Sequence, residues 1–250
     1  MWRFADDSTP SVLTARENIA SGHGMEKGIS LPETAMLFFM SGGNEYLLKN
    51  YDCELLSERF PRFLNRCPIY RFKNMPLCFL DGGRGAPQAV DTLETLAALG
   101  VRRILSVGMF GAFDDSIAIG DIAAPDRAYV EEGTSLHYYP AIEYALPDEA
   151  MHKALLAAMP AKEAAIVTTD AVYRQTFYKE RLWREKGAVG VDMETSALLS
   201  VSRYLGVQAA AVLMASDKHP LAEGAPKWQW SMTKEMRYAL FEHVMKAIMA

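Results

Sequence analysis

Short apolar runs separated by polar, glycine-bearing turns give the first picture of this chain. Residues 35–40, 77–80, 104–107, 121–124, 164–168 and 209–214 read as strands, and most lack a polar alternate face. Such runs mark strands covered on both sides. Between them the apolar period lengthens to that of a helix. Residues 87–99 set Val90, Leu93, Leu96 and Ala97 on one stripe, begin with Pro87 and stop at Gly100. Asp148 is placed to cap a helix over 149–159, which Pro160 ends. Residues 194–205 carry Ala197, Leu198, Val201 and Leu205 and stop at Gly206. A last helix over 231–248 aligns Met232, Met236, Leu240, Val244 and Ile248.

Alternating strands and helices imply one α/β domain over 1–250, a three-layer α/β/α arrangement around a central, mostly parallel mixed sheet, with 1–22 as a peripheral segment. Ligands in such sheets bind beyond the carboxyl ends of the strands. The loops after Leu80, Val107, Thr168 and Met214 are therefore the candidate site.

Composition narrows the function classes. Half of the 250 residues are hydrophobic and 23% are charged, a globular balance that excludes a disordered chain. A net charge of −5 supplies no field for nucleic acid. The densest positive stretch, Arg59, Arg62, Arg66, Arg71 and Lys73, is interleaved with Phe60, Phe63, Tyr70 and Phe72. It reads as a solvated helix and strand edge over buried aromatics, ahead of a base-stacking surface. Cys53, Cys67 and Cys78 have no CxxC spacing, against both a disulfide framework and a zinc site. The first residues hold no apolar core of signal-peptide length, and no run approaches about 18 apolar residues, so no membrane span is expected and the cytoplasm is the expected compartment.

Four stretches carry candidate chemistry. Asp81-Gly-Gly-Arg-Gly-Ala-Pro87 joins a strand to a helix, whose N-terminal N–H groups suit an anion or hydroxyl. Such turns are commonly structural alone; Arg84 within it is equally suited to meeting an anion. Val107-Gly-Met-Phe-Gly-Ala-Phe113 follows the next strand, and its glycines could serve only to turn the chain. In Gly190-Val-Asp-Met-Glu-Thr-Ser196 two carboxylates enter an apolar helix. Asp192 or Glu194 could simply complement the helix dipole, while a carboxylate is also suited to gripping vicinal hydroxyls. The strand Val212-Leu-Met-Ala-Ser-Asp217 ends in an acid whose pKa burial can raise, fitting it to hand a proton to a leaving group. Alone, that dipeptide would read as a turn cap.

In consistent order from His23 to Asp217, these stretches resemble the nucleoside phosphorylase family of the uridine and hexameric purine type, with its related nucleosidases. Gly83-Arg-Gly-Ala-Pro87 is similar to the family's Gly-x-Gly-Gly-Pro turn. Residues 101–111 are similar to its strand ending in Arg-x-Gly-[Ser/Thr]-x-Gly, and 133–138 to a Gly-x-Ser-Leu-His-[Phe/Tyr] stretch. Val191-Asp-Met-Glu194 resembles the Glu-Met-Glu signature and Ser216-Asp217 the Ser-Asp of purine-specific and nucleosidase members.

The resemblance implies cleavage of the bond between ribose and base. Met193 and Glu194 would hold the ribose, Glu194 taking its 2′- and 3′-hydroxyls, and Asp217 would protonate the departing base. Thr169, Val172 and Tyr173 would line the base pocket. His23 would be lent to a neighbour's ribose 5′-hydroxyl, in a homodimer or a homohexamer built from dimers. Gly83, Gly108, Asp192 and Ser216 belong to the same segments. No metal or organic cofactor is implied; the partners are a small-molecule nucleoside and phosphate as co-substrate.

Departures leave the nucleophile open. Ser41-Gly-Gly-Asn-Glu-Tyr-Leu47 has no arginine where family phosphorylases bind phosphate, Ser106 replaces a second arginine, and Met109 replaces a Ser or Thr. Buried phosphate without cations is strongly unfavourable. Arg84 would compensate in a phosphorylase, bind a 5′-phosphate on a nucleotide, or be irrelevant to a hydrolase that uses water. A non-catalytic nucleoside-binding relative is the remaining reading. Base identity stays open.

Overall fold

Strand β1 (Thr34–Phe38) sends alternate side chains into two apolar layers, and that division organises the fold. In the computed structural model, which describes residues 7, 9–21, 29–225 and 227–249, Ala35 and Leu37 pack with helices α3 (Ala86–Ala98) and α6 (Thr195–Leu205). Met36 and Phe38 pack with α2 (Gly43–Asn50), α4 (Glu149–Ala158) and α7 (Lys234–Met249) on the other face. A strand apolar on both sides needs helices on both sides. The three-layer α/β/α arrangement follows.

The long pairings are parallel. β1 lies between β4 (Leu77–Asp81) and β5 (Arg103–Ala112), and β5 pairs along its length with β10 (Gln208–Lys218). β6 (Ile122–Glu131), β8 (Ala161–Thr169) and β9 (Ala188–Asp192) continue the sheet. Because β10 also bonds β6, and β9 bonds β5, the strands β5, β10, β6, β8 and β9 close into a ring. β1, β4, β3 (Ile69–Phe72) and β2 (Cys53–Ser57) leave that ring as an open wing, antiparallel at its edge. The short β7 (Tyr144–Ala145) adds to β6. Helix α5 (Phe177–Glu185) covers the ring, with Trp183 buried against Phe113, Val167 and Val191. A short α1 (Ala15–Ala20) is closed by a capping box between Thr14 and Glu17.

Several boundaries differ from the sequence reading for local reasons. β6 runs past Pro125 to Glu131 because its pairing with β8 shifts register between Pro125 and Arg127, which accommodates the proline. α7 begins at Lys234, three residues later than the apolar stripe suggested. The basic stretch is not a solvated helix: residues 58–66 are irregular, and Arg62 is only 3% exposed. Its guanidinium donates to the carbonyls of Asn65 and Asp81, at 2.8 and 2.7 Å, and to Thr92 Oγ1 at 3.0 Å. Phe60 is buried beneath while Phe63 is exposed. Among the described residues, no helix is long and apolar enough to cross a membrane.

Candidate active site

The carboxyl ends of β4, β5, β9 and β10 meet at one rim. After Asp81 the chain turns through Gly83 and Gly85, at φ 100° and 79°, a left-handed conformation that a residue with a Cβ adopts only under strain. The amides of Gly83, Arg84 and Gly85, ahead of the first residue of α3, all have side-chain acceptors. Gly83 N–H donates to Asp81 Oδ1 at 2.7 Å, Arg84 N–H to Gln88 Oε1 at 2.8 Å, and Gly85 N–H to Glu194 Oε1 at 2.6 Å. The Arg84 guanidinium instead lies half-exposed, donating to the Gly83 carbonyl at 2.6 Å and reaching Asp81 only at 3.4 Å. That long, solvated pairing is weak and leaves most of its donors to an incoming ligand.

β9 delivers Asp192, Met193 and Glu194 to the start of α6. Both oxygens of buried Asp192 are engaged: Oδ1 accepts from Thr168 Oγ1 at 2.6 Å, and Oδ2 from Thr195 N–H and Oγ1 at 2.9 and 2.5 Å. Burial pushes its pKa up against those hydrogen bonds. Asp192 thus fastens the first turn of α6 to β8, the helix-terminus role. Glu194, 8% exposed, keeps its one described hydrogen bond to Gly85. Burial first, and the nearby Asp192 carboxylate second, hold its pKa well above the usual carboxylate range, while the Gly85 N–H and Arg84 pull the other way.

β10 carries the other acid. Its register against β5 shifts between Ala215 and Asp217, so Ser216 is an extra residue and Asp217 is re-aimed opposite Gly111. Ser216 Oγ lies 3.1 Å from the Phe110 carbonyl and also hydrogen-bonds Asp217 Oδ1. Asp217 Oδ2 accepts from Trp228 Nε1 at 2.5 Å and faces His219 Nε2 at 3.3 Å. The raised pKa expected from burial does not result. Burial does work upward, but hydrogen bonds from His219, Ser216 and Trp228, with the His219 charge, outweigh it and hold this carboxyl below its ordinary value. His219 shows the converse. Burial works to lower its pKa, yet hydrogen bonds to Asp217 and Glu180, with their charges, lift it to about 9.

Glu194 and Asp217 open into one cavity of about 800 Å³, together with Arg84, Met109, Val172, Tyr173, Asp192, Met193 and Ser216. That volume lies within the range of small-molecule sites. Three anticipated positions do not line it. Gly83 shapes the turn behind Arg84; Gly108 lies inside β5, where a Cβ would meet Leu213 and Phe39; Thr169 is buried and receives the Ala171 N–H. His23 lies outside the described residues.

The cavity also contains Phe39, Glu180, His219 and Trp228, which the sequence reading did not single out. His219 was recoverable, since it follows Asp217 by two at a strand end, and strand neighbours two apart share a face. Glu180 and Trp228 reach the site from α5 and from the segment after β10, with no local signal.

Residues 58–239 match the phosphorylase superfamily. The chain is 28% identical over 142 residues to a DeoD-type purine nucleoside phosphorylase of Caldanaerobacter subterraneus, covering 54% of this chain and 61% of that one. It is 31% identical over 136 residues to a guanosine phosphorylase of Halorubrum lacusprofundi, covering 52% and 56%. An uncharacterized protein of Acanthamoeba polyphaga mimivirus is 29% identical over 155 residues, covering 62% and 61%. In each case the match spans less than two thirds of the relative's length.

Proposed function

The chain belongs to the phosphorylase superfamily, and from that premise we propose that it cleaves the bond between ribose and the base of a purine-type nucleoside, with phosphate accepting the sugar. The observation that carries this reading is the shared cavity, into which Glu194 and Asp217 open from two different strand ends. Glu194 grips the vicinal hydroxyls of the ribose. Asp217 stands where the base departs and counters the charge that develops there. In the transition state the ribose becomes cation-like and the base anionic, so fixed orientation and placed charges supply most of the acceleration. The purine preference follows the relatives named for purine nucleosides and guanosine. Phosphate is met by Arg84, the cavity cation whose donors are least engaged. His23 is lent from a second copy of the chain, in a dimer or a hexamer of dimers.

A second reading, hydrolysis by water, is favoured by the charges around the cavity. Its lining carries Glu180, Asp192, Glu194, Asp217 and Glu223 against Arg84 and His219, and His219 is held between two of those carboxylates. A dianion gains little there. Release of free base from a panel of nucleosides, with and without phosphate, separates the readings. Turnover that requires phosphate establishes phosphorolysis, and equal turnover in phosphate-free buffer assigns water. No turnover, with a melting temperature unmoved by nucleosides or bases, sinks both.

A further inference from the structure

The arrangement of Glu180, His219 and Asp217 contains a proton that the roles above do not use. Glu180 Oε1 lies 2.6 Å from His219 Nδ1, and Asp217 Oδ2 lies 3.3 Å from His219 Nε2. Glu180 and Asp217 are 5% and 4% exposed, so water screens neither. An imidazole with a carboxylate at each nitrogen is satisfied only as imidazolium, because a neutral ring would turn one lone pair on carboxylate lone pairs. The site is shaped around this ring. A Cβ at Gly111 would stand 2.4 Å from His219 Nε2, and the His219 N–H donates to the Ala112 carbonyl at 2.8 Å. Glu180 faces the ring from α5, Asp217 from β10, and Glu223 lines the same cavity, while the facing part of β5 presents glycine.

Asp217, with three donors converging on it, rests ionised and has no proton of its own to give. We propose that His219 supplies the proton that neutralises the departing base, passing it through Asp217, and that Glu180 holds His219 ready for this transfer. The proposal rests on the glycosidic reading above. As the bond from C1′ to the base nitrogen breaks, its electron pair goes to the base, and the new bond to C1′ forms from an oxygen of phosphate, or from a water that releases one of its protons to solvent. The His219 Nε2–H bond breaks with its pair kept on Nε2. The proton moves to Asp217 Oδ2 and on to a ring nitrogen. The base leaves neutral, Asp217 is again a carboxylate, and neutral His219 takes a proton from solvent. His219 acts through Asp217 and is therefore a positioning residue that also stores the proton.

The test compares a purine nucleoside with p-nitrophenyl β-ribofuranoside, whose phenolate departs without a proton, using the full chain. Wild-type nucleoside turnover falls as pH rises through about 9. His219→Gln loses about two to four orders of magnitude on the nucleoside, the usual scale of acid–base catalysis, at least about tenfold more than on the phenyl riboside, and the alkaline fall disappears. Glu180→Gln keeps the imidazole and moves that fall to lower pH. Equal losses on both substrates, or an alkaline fall that survives in His219→Gln, overturn the proposal and leave a structural role. If His219→Gln does not fold, Glu180→Gln decides, and an unmoved alkaline fall overturns the proposal. A wild type that cleaves neither substrate overturns the glycosidic reading, and this proposal falls with it.

Discussion

A methyl group at position 111 provides a direct test of the site's geometry. Gly111→Ala would place its Cβ 2.4 Å from His219 Nε2 and 3.2 Å from Asp217 Oδ2. Ordinary contact begins near 3.4 Å, so the imidazole must retreat by about 1 Å. It cannot do so freely: Glu180 holds the other ring nitrogen at 2.6 Å, and the contact with Asp217, already long at 3.3 Å, is disturbed by any such shift. A misplacement of about 1 Å in a group that positions the reacting atoms costs on the order of a hundredfold in rate. Overpacking of this kind costs about 1–3 kcal/mol in stability. The expected result is a kcat lowered about a hundredfold on a purine nucleoside, an alkaline fall displaced to lower pH, and a melting temperature reduced by a few degrees. Steady-state kinetics across pH and thermal melts measure all three. A variant with kcat within about threefold of wild type and an unmoved pH profile refutes the argument that the glycine exists to seat His219.

Other outcomes follow from the same contacts. Asp217→Asn, nearly the same shape with no charge, should lower kcat on purine nucleosides by about two to four orders of magnitude; a kinetic comparison at fixed pH reads this, and full activity removes Asp217 from the mechanism. Arg62→Ala removes the donor from the partly buried carbonyls of Asn65 and Asp81 and from buried Thr92 Oγ1, at about 1–3 kcal/mol in all, and Arg62→Lys should not restore the loss because one ammonium cannot span three acceptors. Denaturant unfolding of the two variants checks it. Stability should also depend on pH through His219. Its folded pKa of about 9 lies above the ordinary 6.5, so its contribution is complete below about 6.5 and disappears as pH rises through about 9. The melting temperature of the wild type should therefore fall further across that window than that of His219→Gln.

The sequence disclosed what depends on near neighbours. β1, β4, β5 and β10 are apolar runs because both their faces are covered, and that pattern needs no knowledge of the partners. The N-cap Asp148 and the stop at Gly206 are likewise local, one accepting the Met151 N–H and the other taking the left-handed conformation at φ 69°. Short strands at an edge or beside glycine carry no comparable pattern, which is why β2, β3, β7 and β9 were not legible. Ring closure was invisible too, since β10 meets β6 through only two residue pairs, Leu213 with Ala123 and Met214 with Ile122. At the site, Glu194 and Asp217 stood out as acids at the ends of apolar segments. The state of Asp217 did not, because it is set by Trp228, eleven residues on, and by His219, whose charge depends on Glu180 in another helix. Burial alone pointed to the wrong direction of shift.

The middle strand of this sheet has an unusual mechanical position. β5 is bonded to β1, β10 and β9, so the wing and the ring share one piece of backbone. Loss of the wing strips β5 of one neighbour and opening of the ring strips it of the others, so the amides of β5 should be among the slowest to exchange with solvent. A ligand seated at the end of that strand would therefore slow exchange along β5 and in the strands bonded directly to it, on both the wing side and the ring side, without any part of the molecule having to move.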